Sequence, residues 1–94
     1  MDAASGAVAK QIRVVGKVQG VFFRKSARDE AASWGLAGWA RNEDDGTVTI
    51  LVEGDVESIE AFLPWCSQGP PRAVVESVTV TDVEPTGIDG FHTW

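Results

Sequence analysis

The sequence predicts an α+β domain in which two helices pack on one face of a four-stranded antiparallel sheet. Two observations lead to this prediction. Segments with apolar residues at every second position are separated by two segments of helical spacing, and their order along the chain is β-α-β-β-α-β. The 94 residues, 44% of them hydrophobic, suit one domain with a single core. We expect a flexible tail over residues 1–9 and a folded domain over residues 10–94.

The first strand and the first helix lie on either side of a glycine-containing loop. Apolar residues and Gly16 alternate with mostly polar ones over residues 10–18, which predicts a strand with one buried face. Behind the loop, four residues recur at helical spacing and are expected on the buried face: Phe23, Ala27, Ala31 and Trp34. Gly35 stands where a helix commonly ends in a left-handed residue, so the helix is predicted over about residues 22–34.

A hairpin of two strands is predicted next. Residues 37–42 indicate a short strand, and the alternation over residues 47–53 indicates a longer one. Asp45-Gly46 lies between them and favours a tight turn, because glycine accepts a positive φ. In the longer strand, the residues expected on one face are Val48, Ile50 and Val52.

A second helix follows Gly54. Asp55 is the expected N-cap, and Glu57 falls in the first turn, where the helix dipole favours a negative charge. The apolar residues that mark its buried side are Val56, Ile59, Phe62, Leu63 and Cys66. Pro64 removes a backbone hydrogen bond at a cost of about 3 kcal/mol in a helix interior, so we expect a bend or an early end there.

The last part of the chain supplies the fourth strand. Gly69-Pro70-Pro71 is incompatible with a helix and predicts a turn. The strand is predicted over residues 74–83, with Val78 and Val80 pointing inward. A loop follows, and residues 91–94 are expected to be a short apolar tail.

Topology brings two polar residues to one edge of the predicted sheet. The element order is that of a split βαβ, or ferredoxin-like, fold, whose right-handed crossovers make the first and second strands parallel. Arg24 follows the first strand after the loop, and Asn42 ends the second strand. We therefore expect Arg24 and Asn42 at the same edge, with Asn42 on the helix-covered face if Trp39 points outward.

The loop before Arg24 has the properties of an anion site. A loop that enters a helix N-terminus offers N–H groups without intrahelical partners, together with the positive end of the helix dipole. Arg24 adds a planar fork that binds two oxygens of one phosphate, which lysine cannot reproduce. The loop lacks both the Gly-Lys-Ser/Thr of a P-loop and the third glycine of a dinucleotide fingerprint, so we do not expect nucleotide binding.

Charge is divided unevenly along the chain. The net charge of −6 argues against general nucleic-acid binding. Residues 1–28 nevertheless hold six basic residues and one acidic residue, whereas residues 29–94 hold two basic and thirteen acidic ones. The loop lies in the cationic part, where a local positive potential attracts an anionic ligand; chance clustering is the alternative explanation.

Residues 16–24, Gly-Lys-Val-Gln-Gly-Val-Phe-Phe-Arg, together with residues 35–42, Asp45-Gly46-Thr47-Val48 and Gly69-Pro70-Pro71, closely resemble the acylphosphatase family. The resemblance covers roughly residues 10–94. It implies a ferredoxin-like domain that hydrolyses the carboxyl–phosphate bond of acyl phosphates to carboxylate and inorganic phosphate. It also implies that Arg24 binds the phosphate and that Asn42 positions the attacking water.

An acyl phosphate has a good carboxylate leaving group, so positioning and charge stabilisation are sufficient for its hydrolysis. The expected phosphate-binding N–H groups belong to Gln19, Gly20, Val21, Phe22 and Phe23. Because an amide is a poor base, a substrate oxygen is expected to take the proton from the water that Asn42 orients. No metal or cofactor is expected, and inorganic phosphate is expected both as product and as inhibitor.

Other polar residues receive structural explanations. Glu43, Asp44 and Asp45 are explained by turn chemistry rather than by a metal site. Cys66 occupies a core-facing position, and His92, the only histidine, is expected to have a structural or surface role. Ser26 in the first helical turn either adds a hydroxyl near the phosphate or stabilises the helix.

Two alternatives to an isolated enzyme remain at this point. One is a noncatalytic ferredoxin-like module that senses an anion or contacts a protein. The other is the acylphosphatase-like part of larger carbamoyl-transfer proteins. We expect the short chain to act alone, which argues against this second alternative. The preferred prediction is a monomeric, cytoplasmic acylphosphatase with no nucleic-acid or membrane partner.

Overall fold

The computed structural model describes residues 7–94. Along the chain it contains β1 (Ala7–Lys17), α1 (Phe23–Ser33), β2 (Ala37–Asn42), β3 (Val48–Asp55), α2 (Val56–Gln68), β4 (Val74–Val83) and β5 (Phe91–Thr93). The order β-α-β-β-α-β confirms the predicted α+β fold, and β5 is an additional strand. Both helices contact the sheet and each other, so they cover one face of it.

The sheet has the order β4-β1-β3-β2-β5. Because β3 pairs antiparallel with both β1 and β2, the strands β1 and β2 run parallel to each other, as predicted. The prediction of a four-stranded antiparallel sheet was wrong in one respect. Residues 91–93, expected to be part of a tail, form a fifth strand that pairs parallel with the free edge of β2.

The N-terminal boundary also differs from the prediction. Strand β1 begins at Ala7 rather than at residue 10, because residues 7–9 continue the pairing with the end of β3. Ala9 is buried in this extension. The remainder of the expected tail, residues 1–6, lies outside the described residues.

A cluster of buried side chains from the sheet and both helices forms the core. The helix face of β3 contributes Val48, Ile50 and Val52, as predicted. The opposite face of β3 is also buried, and the segment after β4 contacts it at Glu53. There the Glu53 carboxylate accepts hydrogen bonds from the N–H groups of Thr86 and Gly87 and from the Thr86 hydroxyl. Burial raises the pKa of Glu53, but these hydrogen bonds outweigh it and the pKa is lowered.

Helix α1 buries Phe23, Ala27 and Ala31, as the spacing predicted. Trp34 was expected on the same face, and this was wrong: its side chain is 43% exposed. The helix ends at Ser33, so the backbone leaves the helical path at Trp34. The Trp34 indole N–H instead donates to the Glu30 carboxylate at 3.3 Å.

Helix α2 buries Ile59, Phe62 and Cys66. Of the bend or early end expected at Pro64, the early end was wrong, since the helix continues to Gln68 and Pro64 lies exposed on its surface. Val56, expected on the buried face, is exposed at the first residue of the helix. Asp55 occupies the N-cap position, but its side chain makes no capping hydrogen bond.

Strand β4 lies at an edge of the sheet. Val78 packs against the core as predicted, whereas Val80 is 41% exposed. An edge strand has a neighbour on one side only, so its side chains are covered less completely. None of the described helices, all within residues 7–94, is long and apolar enough to cross a membrane.

Candidate active site

The loop between β1 and α1 turns by means of two residues with positive φ. Gly20 has φ 76°, which glycine adopts without steric cost. Phe22 has φ 65° and ψ 26° and is the non-glycine residue with positive φ in the described chain. A left-handed conformation at such a residue costs roughly 1–2 kcal/mol, so the surrounding contacts must hold it.

Helix α1 begins directly after Phe22, whose carbonyl oxygen accepts the N–H of Ser26 at 3.0 Å. Within residues 7–94, the N–H groups of Gly20 to Arg24 donate to no main-chain or side-chain acceptor. Unpaired N–H groups at a helix N-terminus attract an anion.

A cavity of about 330 Å³ is lined by four of the five residues from Gly20 to Arg24. Its lining residues are Val18, Gly20, Phe22, Phe23, Arg24, Lys25, Asn42 and Thr93. Arg24 and Asn42, predicted to meet at one edge of the sheet, thus face the same cavity. Of the predicted loop residues, Gln19 and Val21 do not line it, and the side chain of Val21 is buried in the core.

Gln19 joins the loop to the neighbouring hairpin. Its side-chain amide Nε2 donates to the main-chain oxygens of Glu43 and Thr47, at 2.8 and 2.9 Å. These oxygens belong to the turn that follows Asn42 directly. The side chain of Gln19 therefore fixes the position of the loop relative to the strand end that carries Asn42. Sequence reasoning had assigned Gln19 only a main-chain role, and no local pattern signals this long-range contact.

Arg24 is oriented by the C-terminal strand. Its Nη1 donates to the main-chain oxygen of Trp94 at 2.6 Å. The main-chain N–H of Trp94 donates to the main-chain oxygen of Ala40 at 2.8 Å, and its ring stacks on Trp39 with ring centroids 5.5 Å apart. These two contacts hold Trp94 in place. Strand β5 also places Thr93 in the cavity wall. Sequence reasoning missed this wall, because three residues are too few for a periodic strand signal.

The β2–β3 turn contains hydrogen bonds between its own residues. Asp45 accepts hydrogen bonds from the Thr47 N–H at 3.1 Å and from the Thr47 hydroxyl at 2.7 Å, and it pairs with Arg13 at 2.9 Å. Hydrogen bonds from Thr47, followed by the contact with Arg13, lower the pKa of Asp45 to about 2. Among residues 7–94 no group of three or more His, Cys, Asp or Glu side chains has the arrangement of a metal site.

Two further residues lie away from the cavity lining. Cys66 is buried in α2, and burial raises the pKa of its thiol to about 12, which disfavours the nucleophilic thiolate. His92 lies on β5, where its Nε2 is 2.8 Å from the main-chain oxygen of Asp89. Both placements agree with structural roles.

Comparison with known proteins gives a consistent result. The family model described as Acylphosphatase matches residues 10–93. An acylphosphatase of Haloquadratum walsbyi is 49% identical over 79 residues, which are 84% of this chain and 85% of the relative. The structure of an acylphosphatase from Coxiella burnetii superposes with a TM-score of 0.95 at 32% identity, covering 100% of this chain and 99% of the other.

The chain is also similar to part of a larger protein. It superposes on full-length HypF, in a phosphate- and nucleotide-bound form, with a TM-score of 0.87 and 34% identity. The match covers 94% of this chain and 12% of HypF. Since the family model matches residues 10–93 and the curated relatives align over 85% and 92% of their own length, the chain belongs to the acylphosphatase family, whose members are hydrolases acting on acyl phosphates.

Proposed function

We propose that the cavity binds the phosphoryl group of an acyl phosphate and positions water for its hydrolysis. The observation that carries the proposal is that Arg24 and Asn42 line one cavity beside the unpaired N–H groups at the start of α1. The N–H groups of residues 19–23 and the Arg24 guanidinium bind the non-bridging phosphate oxygens. They stabilise the charge on those oxygens in the transition state.

Asn42 holds the attacking water. The water oxygen forms a bond to phosphorus as the bond from phosphorus to the acyl oxygen breaks, and the electron pair of that bond leaves with the carboxylate. A proton of the water passes to a phosphate oxygen, because the Asn42 amide is too weak a base to accept it. The products are a carboxylate and inorganic phosphate, and the charge stabilisation needs no metal ion.

Two variants separate the two roles. Arg24→Lys keeps a charge but loses the bidentate fork, so the affinity for inorganic phosphate and the turnover should both fall. Asn42→Ala should lower turnover by at least on the order of 10²-fold, as the loss of an oriented transition-state donor does, while phosphate still binds. Phosphate affinity is measured by isothermal titration calorimetry, and turnover is measured with acetyl phosphate.

The matched control is Arg28→Lys, the same substitution one turn further along α1 and outside the cavity lining. It should leave both readouts close to those of the unaltered protein. The assignment of Asn42 fails if the folded Asn42→Ala variant no longer binds phosphate or turns over normally. A noncatalytic module would hydrolyse no acyl phosphate in any variant.

The enzyme acts as a cytoplasmic monomer, and inorganic phosphate inhibits it competitively because it occupies the same N–H groups. Activity survives exhaustive chelation. An activity that chelators abolish and a divalent cation restores would refute the metal-free mechanism. Sedimentation at several protein concentrations would test whether the chain is monomeric.

A further inference from the structure

Phe22 has a side chain that plays no part in the proposed phosphate binding. Its side chain is 71% exposed although it belongs to the cavity lining, and its backbone is left-handed. The exposed ring forfeits hydrophobic burial, and the backbone conformation adds strain. Among the described residues its ring forms no aromatic pair, in contrast to Phe23, which packs against Trp65 with ring centroids 5.1 Å apart.

The other side chains on this side of the cavity are already engaged. The Lys25 amine pairs with Asp29 at 2.9 Å, and Arg24 is bonded to the main-chain oxygen of Trp94. Phe22 is therefore the lining side chain of the segment 20–25 that combines a large apolar surface with exposure to solvent.

The direction of the reaction points to the same residue. In an in-line displacement the acyl group leaves on the side of phosphorus opposite to the attacking water. The proposed function places the water at Asn42 and the phosphate oxygens on the N–H groups of residues 19–23, so the acyl group extends away from both. A lining residue contacts it there through a side chain that holds neither the water nor the phosphate, and the exposed ring of Phe22 is such a side chain.

We propose that Phe22 is a specificity-determining residue whose ring contacts the acyl group and favours acyl phosphates with an aromatic or extended apolar acyl chain over those with a small one. This inference rests on the proposed function and deepens it by naming the substrate class. The left-handed backbone turns the side chain outward at the mouth of the cavity, where it meets the acyl group rather than the phosphate.

The test compares kcat/KM for benzoyl phosphate and acetyl phosphate in three proteins: the unaltered chain, Phe22→Asn and Phe22→Tyr. Asparagine tolerates the left-handed conformation and removes the ring, whereas tyrosine keeps the ring. The measure is the benzoyl-to-acetyl ratio of each variant divided by that of the unaltered protein. The different intrinsic reactivities of the two anhydrides cancel in this quotient, as does any distortion of the phosphate loop that slows both substrates equally.

Phe22→Asn should reduce the benzoyl-to-acetyl ratio on the order of tenfold, the scale of one aromatic or apolar contact. Phe22→Tyr should retain the ratio within about twofold. The control Trp34→Asn removes another exposed aromatic ring, at the opposite end of α1, and should leave the ratio unchanged.

An unaltered ratio in Phe22→Asn, or equal losses in the asparagine and tyrosine variants, would overturn the role of Phe22 while leaving the acylphosphatase mechanism intact. If the unaltered protein hydrolyses neither substrate, the proposed function itself fails and the inference fails with it. The two failures are thus distinguished by the activity of the unaltered chain towards acetyl phosphate.

Discussion

Replacing Gln19 with alanine should weaken both the fold and the catalysis, because one side chain joins the β1–α1 loop to the turn after Asn42. The variant loses two partly buried hydrogen bonds, from Nε2 to the main-chain oxygens of Glu43 and Thr47. At about 0.5–1.5 kcal/mol each, their loss should lower the free energy of unfolding by about 1–3 kcal/mol. With a urea m-value of about 1–3 kcal/mol/M, a loss of 2 kcal/mol shifts the midpoint by roughly 1 M.

The catalytic effect follows from the same contact. Without it the loop and Asn42 are no longer held in a fixed relation, and a displacement of about 1 Å costs up to 10²-fold in rate. We expect kcat/KM for acetyl phosphate to fall between about tenfold and 10²-fold. Gln19→Glu should be more damaging at neutral pH, because a carboxylate places negative charge against two carbonyl oxygens.

The assays are urea unfolding followed by tryptophan fluorescence and steady-state hydrolysis of acetyl phosphate. Gln11→Ala is the matched control, since Gln11 is exposed on β1 and makes no side-chain hydrogen bond within residues 7–94. The reasoning is refuted if Gln19→Ala changes the midpoint no more than Gln11→Ala and retains full activity. A loss of stability with normal kcat/KM would limit Gln19 to a structural role.

Three further predictions concern the scaffold. Because the pKa of Asp45 is lowered in the folded chain, its ionised form stabilises the fold above the pKa of about 4 that it has in the unfolded chain, and this contribution disappears as the pH falls through about 2. The urea-midpoint difference between the unaltered chain and Asp45→Asn should therefore shrink over that pH range. A constant difference would contradict this prediction. Gly38→Ala should cost about 3 kcal/mol or more in thermal unfolding, because its Cβ would overlap the main-chain oxygen of Leu51; an unchanged Tm would contradict it. Pro64→Ala should raise Tm without loss of activity, because α2 already runs past Pro64 and alanine adds the missing N–H donor; a lower Tm would show that the proline contributes to packing.

Much of the candidate active site was predictable from the sequence because it depends on local patterns and on general topology rules. Alternation defined β1, β3 and β4, and helical spacing defined the buried side of α1 at Phe23, Ala27 and Ala31. Glycines marked the turns. The handedness of βαβ crossovers then made β1 and β2 parallel, which brought Arg24 and Asn42 to one cavity.

The sequence was less informative where packing over a distance decides the outcome. Local spacing placed Trp34 on the buried face, but the end of the helix at Ser33 directs it to solvent. Propensity predicted a bend or an early end of α2 at Pro64. The tertiary structure instead continues that helix to Gln68, with Ile59, Phe62 and Cys66 buried on the side that packs on the sheet.

What the sequence by itself determined is therefore the element order and the edge at which Arg24 and Asn42 meet, while the anion-binding role of the loop stays a prediction. Only the tertiary structure decided how these residues are held: by Gln19 across to the β2–β3 turn, and by β5 through Trp94. The reason is physical. Each of these contacts joins a side chain to a main-chain oxygen at least 24 positions away, and it depends on where the packed elements place that oxygen. No periodicity along the chain encodes such a distance.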